Sequence, residues 1–331
     1  MKHRCIDKLT LLLAWLLVGG GIAQAQEQVE STQAPQTWVD KSHSYAFNRS
    51  QDLAQWMDDF FGVPVQDAER AESFARIILM DDWTGREGHR IKARIRGQIQ
   101  LPKVSERLDL LFSGEETEQG LTEEQRSQDD SLSLRFNVSE TSKTRVDLTA
   151  SIRSGPALLP GVRFRHQNAI TDNSSYRFTQ RLQYHTDDGY RSTTNLDLNR
   201  YMSEKSSVRW GNRLRYREEN QFWEWSTSLA YRIWLGDHNH HPSAMEYFVS
   251  ASGIDEPEVF TRNYRLGVLY RKRFYRDFLY YELEPSYNFR RDEFDEKRKG
   301  VWGFVVRLEV MLERDFRPTA SSGKSPKNAS S

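Results

Sequence analysis

From about residue 74 to residue 316 the chain alternates apolar and polar positions. Ile91, Ala93, Ile95, Gly97, Ile99 and Leu101 fall on one side of an extended backbone. Lys92, Arg94, Arg96, Gln98 and Gln100 fall on the other. A period of two marks a β-strand with one apolar and one polar face, because successive side chains leave the pleat in opposite directions. The same alternation returns at 132–138, 145–153, 176–184, 208–216, 223–233, 264–271, 281–289 and 302–312. Weaker runs lie at 74–82, 107–113, 160–167, 191–200 and 244–252. Turn-rich stretches separate them, such as Asp187-Asp188-Gly189 and Gly236-Asp237-His238-Asn239.

Many half-apolar strands fit either a soluble sandwich or a membrane barrel. In a sandwich the apolar faces meet in a shared core. In an outer-membrane barrel they meet lipid, and the polar faces line the lumen. The runs approach the 9–11 residues that a tilted strand needs to cross a bilayer. Tyr176, Tyr184, Tyr216, Trp223, Tyr270, Tyr281, Phe289 and Trp302 sit near run ends on the apolar side, as an aromatic girdle requires. The expected fold is therefore all-β, an antiparallel transmembrane β-barrel of 12–14 strands with a short N-terminal helix. Fourteen strands put the acidic stretch 113–130 on the extracellular side. The turns at 139–143 and 201–206 then fall on the periplasmic side.

The chain has 331 residues, with 47 basic and 47 acidic side chains and 37% hydrophobic residues. Its mean hydropathy is −0.77. A barrel lowers this value because alternation averages out. Nothing after residue 25 approaches the roughly 20 apolar residues of a spanning helix. Zero net charge argues against an ordinary nucleic-acid binder, which usually carries a basic excess. The single cysteine, Cys5, allows no intrachain disulfide and no cysteine metal site.

Lys2, Arg4 and Lys8, the apolar residues 9–17, and Ala23-Gln24-Ala25 make a secretory signal peptide over residues 1–25. Residues 26–73 are expected to be a periplasmic linker with an amphipathic helix. Asn48 or Ser50 can cap that helix. Leu53, Trp56, Met57 and Phe60 follow at i, i+3, i+4 and i+7, and Gly62 and Pro64 stop it. Its apolar stripe could cap the barrel or dock a periplasmic partner. Residues 74–316 form the barrel, and 317–331, rich in Ser, Lys and Pro, form a disordered tail.

Residues 74–316 resemble a Gram-negative outer-membrane β-barrel. The segments Trp56-Met57-Asp58-Asp59-Phe60-Phe61-Gly62, Arg94-Ile95-Arg96 and Leu101-Pro102-Lys103-Val104-Ser105-Glu106-Arg107-Leu108 are similar to proteobacterial barrels without an assigned function. The resemblance implies residence in the outer membrane, in contact with its lipid, after insertion by the barrel assembly machinery. Such barrels commonly end on a terminal aromatic. Here fifteen residues follow Phe316, so an assembly signal would have to be internal.

The polar face carries the candidate chemistry. Lys92, Arg94, Arg96, Arg135, Arg145, Arg177, Arg181, Arg209, Arg213, Arg215, Arg265 and Arg307 are the expected pore-lining residues. Arg153, Arg163, Arg165, Arg232, Arg271 and Arg290 share their face, which makes eighteen bases. Eight acids oppose them: Asp109, Asp147, Asp197, Glu224, Glu246, Glu282, Glu284 and Glu309. Fixed positive charge in a confined channel concentrates anions, and arginine offers paired donors to carboxylate or phosphate. Acidic or phosphorylated sugars are natural solutes for such a pore. The competing reading is a lumen filled by side chains that pair with one another. Arg94, Arg96, Arg213 and Arg215 are the most pore-like, standing in doublets two apart. No motif calls for a cofactor or a catalytic group. The histidines at 238, 240 and 241 sit in a turn that does not make them converge as metal ligands. His166 has no serine partner for lipid hydrolysis.

Overall fold

The computed structural model describes residues 73–314, apart from 102–104, 106, 113–131, 142, 153–157, 187–188, 236–241 and 276–277. The signal segment, the helix expected around Leu53, Trp56, Met57 and Phe60, and the tail 317–331 lie outside the described residues.

Fourteen strands close into one antiparallel barrel. In chain order they are β1 (Ser73–Thr84), β2 (Gly88–Gln100), β3 (Leu108–Phe112), β4 (Leu132–Glu140), β5 (Thr144–Ile152), β6 (Leu158–Thr171) and β7 (Ser174–His185). Then come β8 (Gly189–Ser203), β9 (Ser206–Arg217), β10 (Trp223–Trp234), β11 (Ser243–Ile254), β12 (Phe260–Arg273), β13 (Leu279–Arg290) and β14 (Lys299–Arg314). Each pairs with its sequence neighbours, and β1 closes the ring on β14 from Ser73↔Arg314 to Thr84↔Gly303. Closure gives every strand a neighbour on each side, although among the described residues β3 pairs with β2 only over Gly97–Gln100; paired edges are what a sheet in lipid needs.

An even strand number brings Ser73 and Arg314 to the same end, called here the terminal end. β4 and β8 end there, and β5 and β9 begin there. β3 ends and β4 begins at the opposite, loop end. The five weaker runs are all strands, so the count is fourteen rather than twelve. Their contrast is diluted for a physical reason. β8 carries Ser192 and Thr194 on its outer side, and β11 carries Ala244 and Phe248 on its inner side.

Burial is inverted relative to a soluble protein. Ile91 is 74% exposed and Leu266 59%, whereas Arg163 and Arg232 are each 1% exposed. The apolar face is the outer one, where a bilayer would cover it. Aromatic pairs mark both rims. Tyr184–Tyr190 (5.0 Å between ring centres), Tyr216–Trp223 (5.1 Å) and Tyr287–Trp302 (5.1 Å) lie toward the loop end. Tyr270–Tyr281 (6.0 Å) and Phe274–Tyr281 (5.5 Å) lie toward the terminal end. Such cross-strand pairs add to the stability of the sheet.

The β11–β12 register shifts between Ser252 and Gly253. There a Cβ on Gly253 would overlap the Phe260 carbonyl and press on Trp225. Gly253→Ala is expected to cost about 1–3 kcal/mol, as overpacking does. Gly303→Ala, whose Cβ would come no nearer than 3.1 Å to any atom, the nearest being Ser286 Oγ, should cost less. Denaturant titration in lipid vesicles checks the order, and equal midpoints for the two variants would contradict it.

Candidate functional site

All twelve expected lining residues stand on the inner face. β2 carries Lys92, Arg94 and Arg96, β4 carries Arg135, β5 carries Arg145, and β7 carries Arg177 and Arg181. β9 carries Arg209, Arg213 and Arg215, β12 carries Arg265, and β14 carries Arg307. Arg163, Arg165, Arg232, Arg271 and Arg290 share that face, while Arg153 lies outside the described residues. The register adds bases that periodicity did not single out: Arg76, Arg90, Arg191, Arg217, Arg273 and Lys299. It also adds the acids Asp82 and Glu140.

Carboxylates hold many of these cations. Asp109 accepts from Arg135 Nη2 at 2.8 Å, and Arg135 also donates to Gln98 Oε1 at 2.9 Å. Asp147 lies between Arg145 Nε (2.8 Å) and Arg163 Nη2 (2.7 Å). Asp197 lies between Arg177 Nη2 (3.0 Å) and Arg209 Nε (3.0 Å). Arg232 Nε donates to Glu246 Oε2 at 2.8 Å. The largest network runs over β12, β13, β14 and β1. Arg271 Nη1 donates to Glu282 (3.0 Å) and Glu309 (2.9 Å), and Arg307 donates to Glu284 (2.7 Å) and to Glu282. Arg265 donates to Glu284, and Arg76 pairs with Glu309 at 3.6 Å.

Every pair just named lies within one strand, as Arg145–Asp147 does in β5, or joins strands that are neighbours or one strand apart. The side chains therefore lie along the wall. Asp147 and Asp197 each serve two arginines, so bases exceed acids within each triad, and Arg145 also lies 3.7 Å from Glu140 and 3.8 Å from Asp109. Arg135, Arg145, Arg177, Arg209, Arg265 and Arg307 are thus not the bare cations that alternation implies. Alternation tells which face a residue takes, whereas pairing depends on register. The carboxylates occupied the same face in the sequence, and that was the signal available.

Periodicity also missed an apolar patch inside the barrel. Ala230, Ala244, Phe248 and Leu269 pack together on the inner side of β10–β12, with Tyr280 of β13 against them. Arg265 stacks over Phe248 at 5.4 Å and Arg271 over Tyr280 at 4.7 Å. The signal was small and apolar residues in the polar phase of their strands.

At the loop end the inner wall opens into a recess of about 370 Å³, lined among others by Asp82, Arg90, Glu224, Arg265, Arg290 and Asp292. Asp292 accepts from Arg86 (2.9 Å) and Arg290 (2.8 Å), which ties the 291–298 connection to the β1–β2 turn. Arg290 first, and then Arg86, holds the Asp292 carboxyl below its ordinary range. A depressed acid contributes above its ordinary value, and the contribution is lost as pH falls through the depressed one. Exposed pairs of this kind are worth about 0–1 kcal/mol each, so the effect is local. A nitroxide at Asp295 should be immobile at neutral pH and loosen only in strong acid. In Asp292→Asn it should be loose at every pH. Identical spectra for the two proteins would contradict the tie.

His166 stands on the outer wall, where its Nδ1 lies 2.8 Å from Thr144 Oγ1 and its ring packs on Tyr176. Among the described residues, no three His, Cys, Asp or Glu side chains converge as metal ligands. The histidines at 238, 240 and 241 lie outside them.

No known family's sequence model matches the chain, and no curated protein does. Solved outer-membrane structures are similar to it in fold. OmpT of Vibrio cholerae shares 8% identity over 76% of this chain and 100% of its own, with a TM-score of 0.42. The channel DcaP of Acinetobacter baumannii shares 8% over 72% and 96%, with a TM-score of 0.43. The KdgM porin, solved with disordered oligogalacturonate, shares 8% over 71% and 98%, with a TM-score of 0.35. The likeness is one of barrel architecture.

Proposed function

We propose that this chain is a passive channel for small anionic solutes in the outer membrane of a Gram-negative bacterium. The observation that carries the reading is the course of the inner ion pairs. They lie within one strand or link strands that are neighbours or one apart, and so lie against the wall. The bases on that wall outnumber its acids, so the inner surface is positive although the chain is neutral. Positive charge facing confined water draws anions in, and guanidinium groups match carboxylate and phosphate geometry. Carboxylated or phosphorylated sugars fit this chemistry. Liposomes carrying the protein should admit a small hexuronate several-fold faster than the neutral hexose. Equal rates would overturn the anion preference.

A second reading is a closed barrel that docks a periplasmic partner through Leu53, Trp56, Met57 and Phe60. The burial of Arg135, Arg163, Arg232, Glu246 and Glu284, each at most 2% exposed, favours it. Deleting residues 26–65 separates the two. Loss of a complex, from a protein that never conducts, supports docking. An unchanged conductance supports the channel.

A further inference from the structure

The outer wall is not uniformly apolar. On four consecutive strands, β7 to β10, its middle is polar. Gln180, Ser192, Thr194, Asn212 and Thr227 all point outward. In the register Gln180 faces Thr194, and Thr227 faces Asn212. Three of these strands carry apolar outward residues on both sides of the polar one. Gln180 lies between Phe178 and Leu182, Asn212 between Trp210 and Leu214, and Thr227 between Trp225 and Leu229. The polar groups therefore sit at mid-depth and not at a rim. β12, by contrast, presents Tyr264, Leu266, Val268 and Tyr270 outward without interruption.

The belt is partly self-satisfied. Gln180 Nε2 donates to Ser192 Oγ at 3.0 Å, and Thr194 Oγ1 donates to Gln180 Oε1 at 2.6 Å. Trp210 Nε1 donates to Thr227 Oγ1 at 2.9 Å, and Thr227 in turn donates to Asn212 Oδ1 at 2.9 Å. Asn212 Nδ2 is shielded by its own chain and makes no hydrogen bond there, so the capacity open to a second copy lies on Gln180, Ser192, Thr194 and Thr227, which are half-buried. Amides and hydroxyls that both donate and accept keep spare capacity after these bonds. Hydrocarbon offers nothing to fill it, so a polar group there is expensive unless another protein covers it.

We propose that the outer wall of β7–β10 is the contact face between copies of this chain, side by side in the membrane. Two features select a second copy over an unrelated partner. Copies inserted the same way are related by an axis along the membrane normal, so a belt at one depth meets a belt at that same depth. The belt is also neutral, and every group but the indole both donates and accepts, so it complements itself without counter-charges. Trp210, 46% exposed beside the belt, supplies the kind of aromatic surface that interfaces favour.

Single cysteines in a Cys5→Ser background test the proposal. Thr227→Cys places a thiol on the belt, and Leu266→Cys places one on the β12 wall. Both are treated in native outer membranes with a membrane-permeant oxidant. At least tenfold more product of twice the chain mass is expected from Thr227→Cys. Equal yields from the two sites would overturn the contact face. A product whose mass is not a multiple of the chain would overturn the second copy. As an independent measurement, Gln180→Leu/Thr194→Val/Thr227→Val should run as a folded, heat-modifiable monomer where the unaltered protein runs as an oligomer. A variant that stays oligomeric would overturn the role of the belt.

Discussion

Replacing Asp197 with alanine is expected to lower the unfolding free energy of the barrel by about 3–5 kcal/mol, the usual cost of breaking a buried ion pair. The carboxylate serves two guanidinium groups, Arg177 at 3.0 Å and Arg209 at 3.0 Å. These arginines are 8% and 7% exposed. Removing the acid leaves two like charges close together with little water to screen them. Asp197→Asn keeps the volume and some hydrogen bonding, so its cost should fall between the unaltered protein and alanine. Denaturant unfolding in lipid vesicles, followed by the heat-dependent gel shift, reads both values. A loss below about 1 kcal/mol, the worth of an exposed pair, would mean that water reaches both arginines freely.

Reversing Arg94 and Arg213 to glutamate together should sharply reduce the preference for anions. A unit charge about 7 Å from a passing ion in water is worth about 0.6 kcal/mol, so each reversal changes the interaction by about 1.2 kcal/mol. That is roughly eightfold per site at low salt and a few-fold at 0.15 M, where the Debye length is about 8 Å. The two sites lie on β2 and β9, far apart around the ring, so their effects should add. The ratio of chloride to potassium permeability checks this. A ratio unchanged by the double variant would show that ions do not pass these residues.

Much of the architecture was legible as a period of two. The alternation in 91–101 and 302–312 places Ile95 and Val306 outside and Arg94 and Arg307 inside without any knowledge of pairing. The rule works because side-chain direction is a local property of the pleat. Depth and partnership are not local. Asp197 meets Arg177 and Arg209 because β7, β8 and β9 align there, and a slip of one residue would turn every side chain to the other face. The paired state of the wall was therefore out of reach, although its acids and bases were visible. The mixed strands were hardest to read. Phe248 and Leu269 break the polar phase inside, and Gln180 and Thr227 break the apolar phase outside. Each exception weakens the pattern where the barrel has something particular to contact.

The reversal potential of refolded protein in a planar bilayer under a KCl gradient tests the anion channel most directly. A stable conductance whose reversal potential is displaced toward the chloride equilibrium value is expected. A potential at the potassium value, or no conductance from protein shown to be folded and inserted, would contradict it.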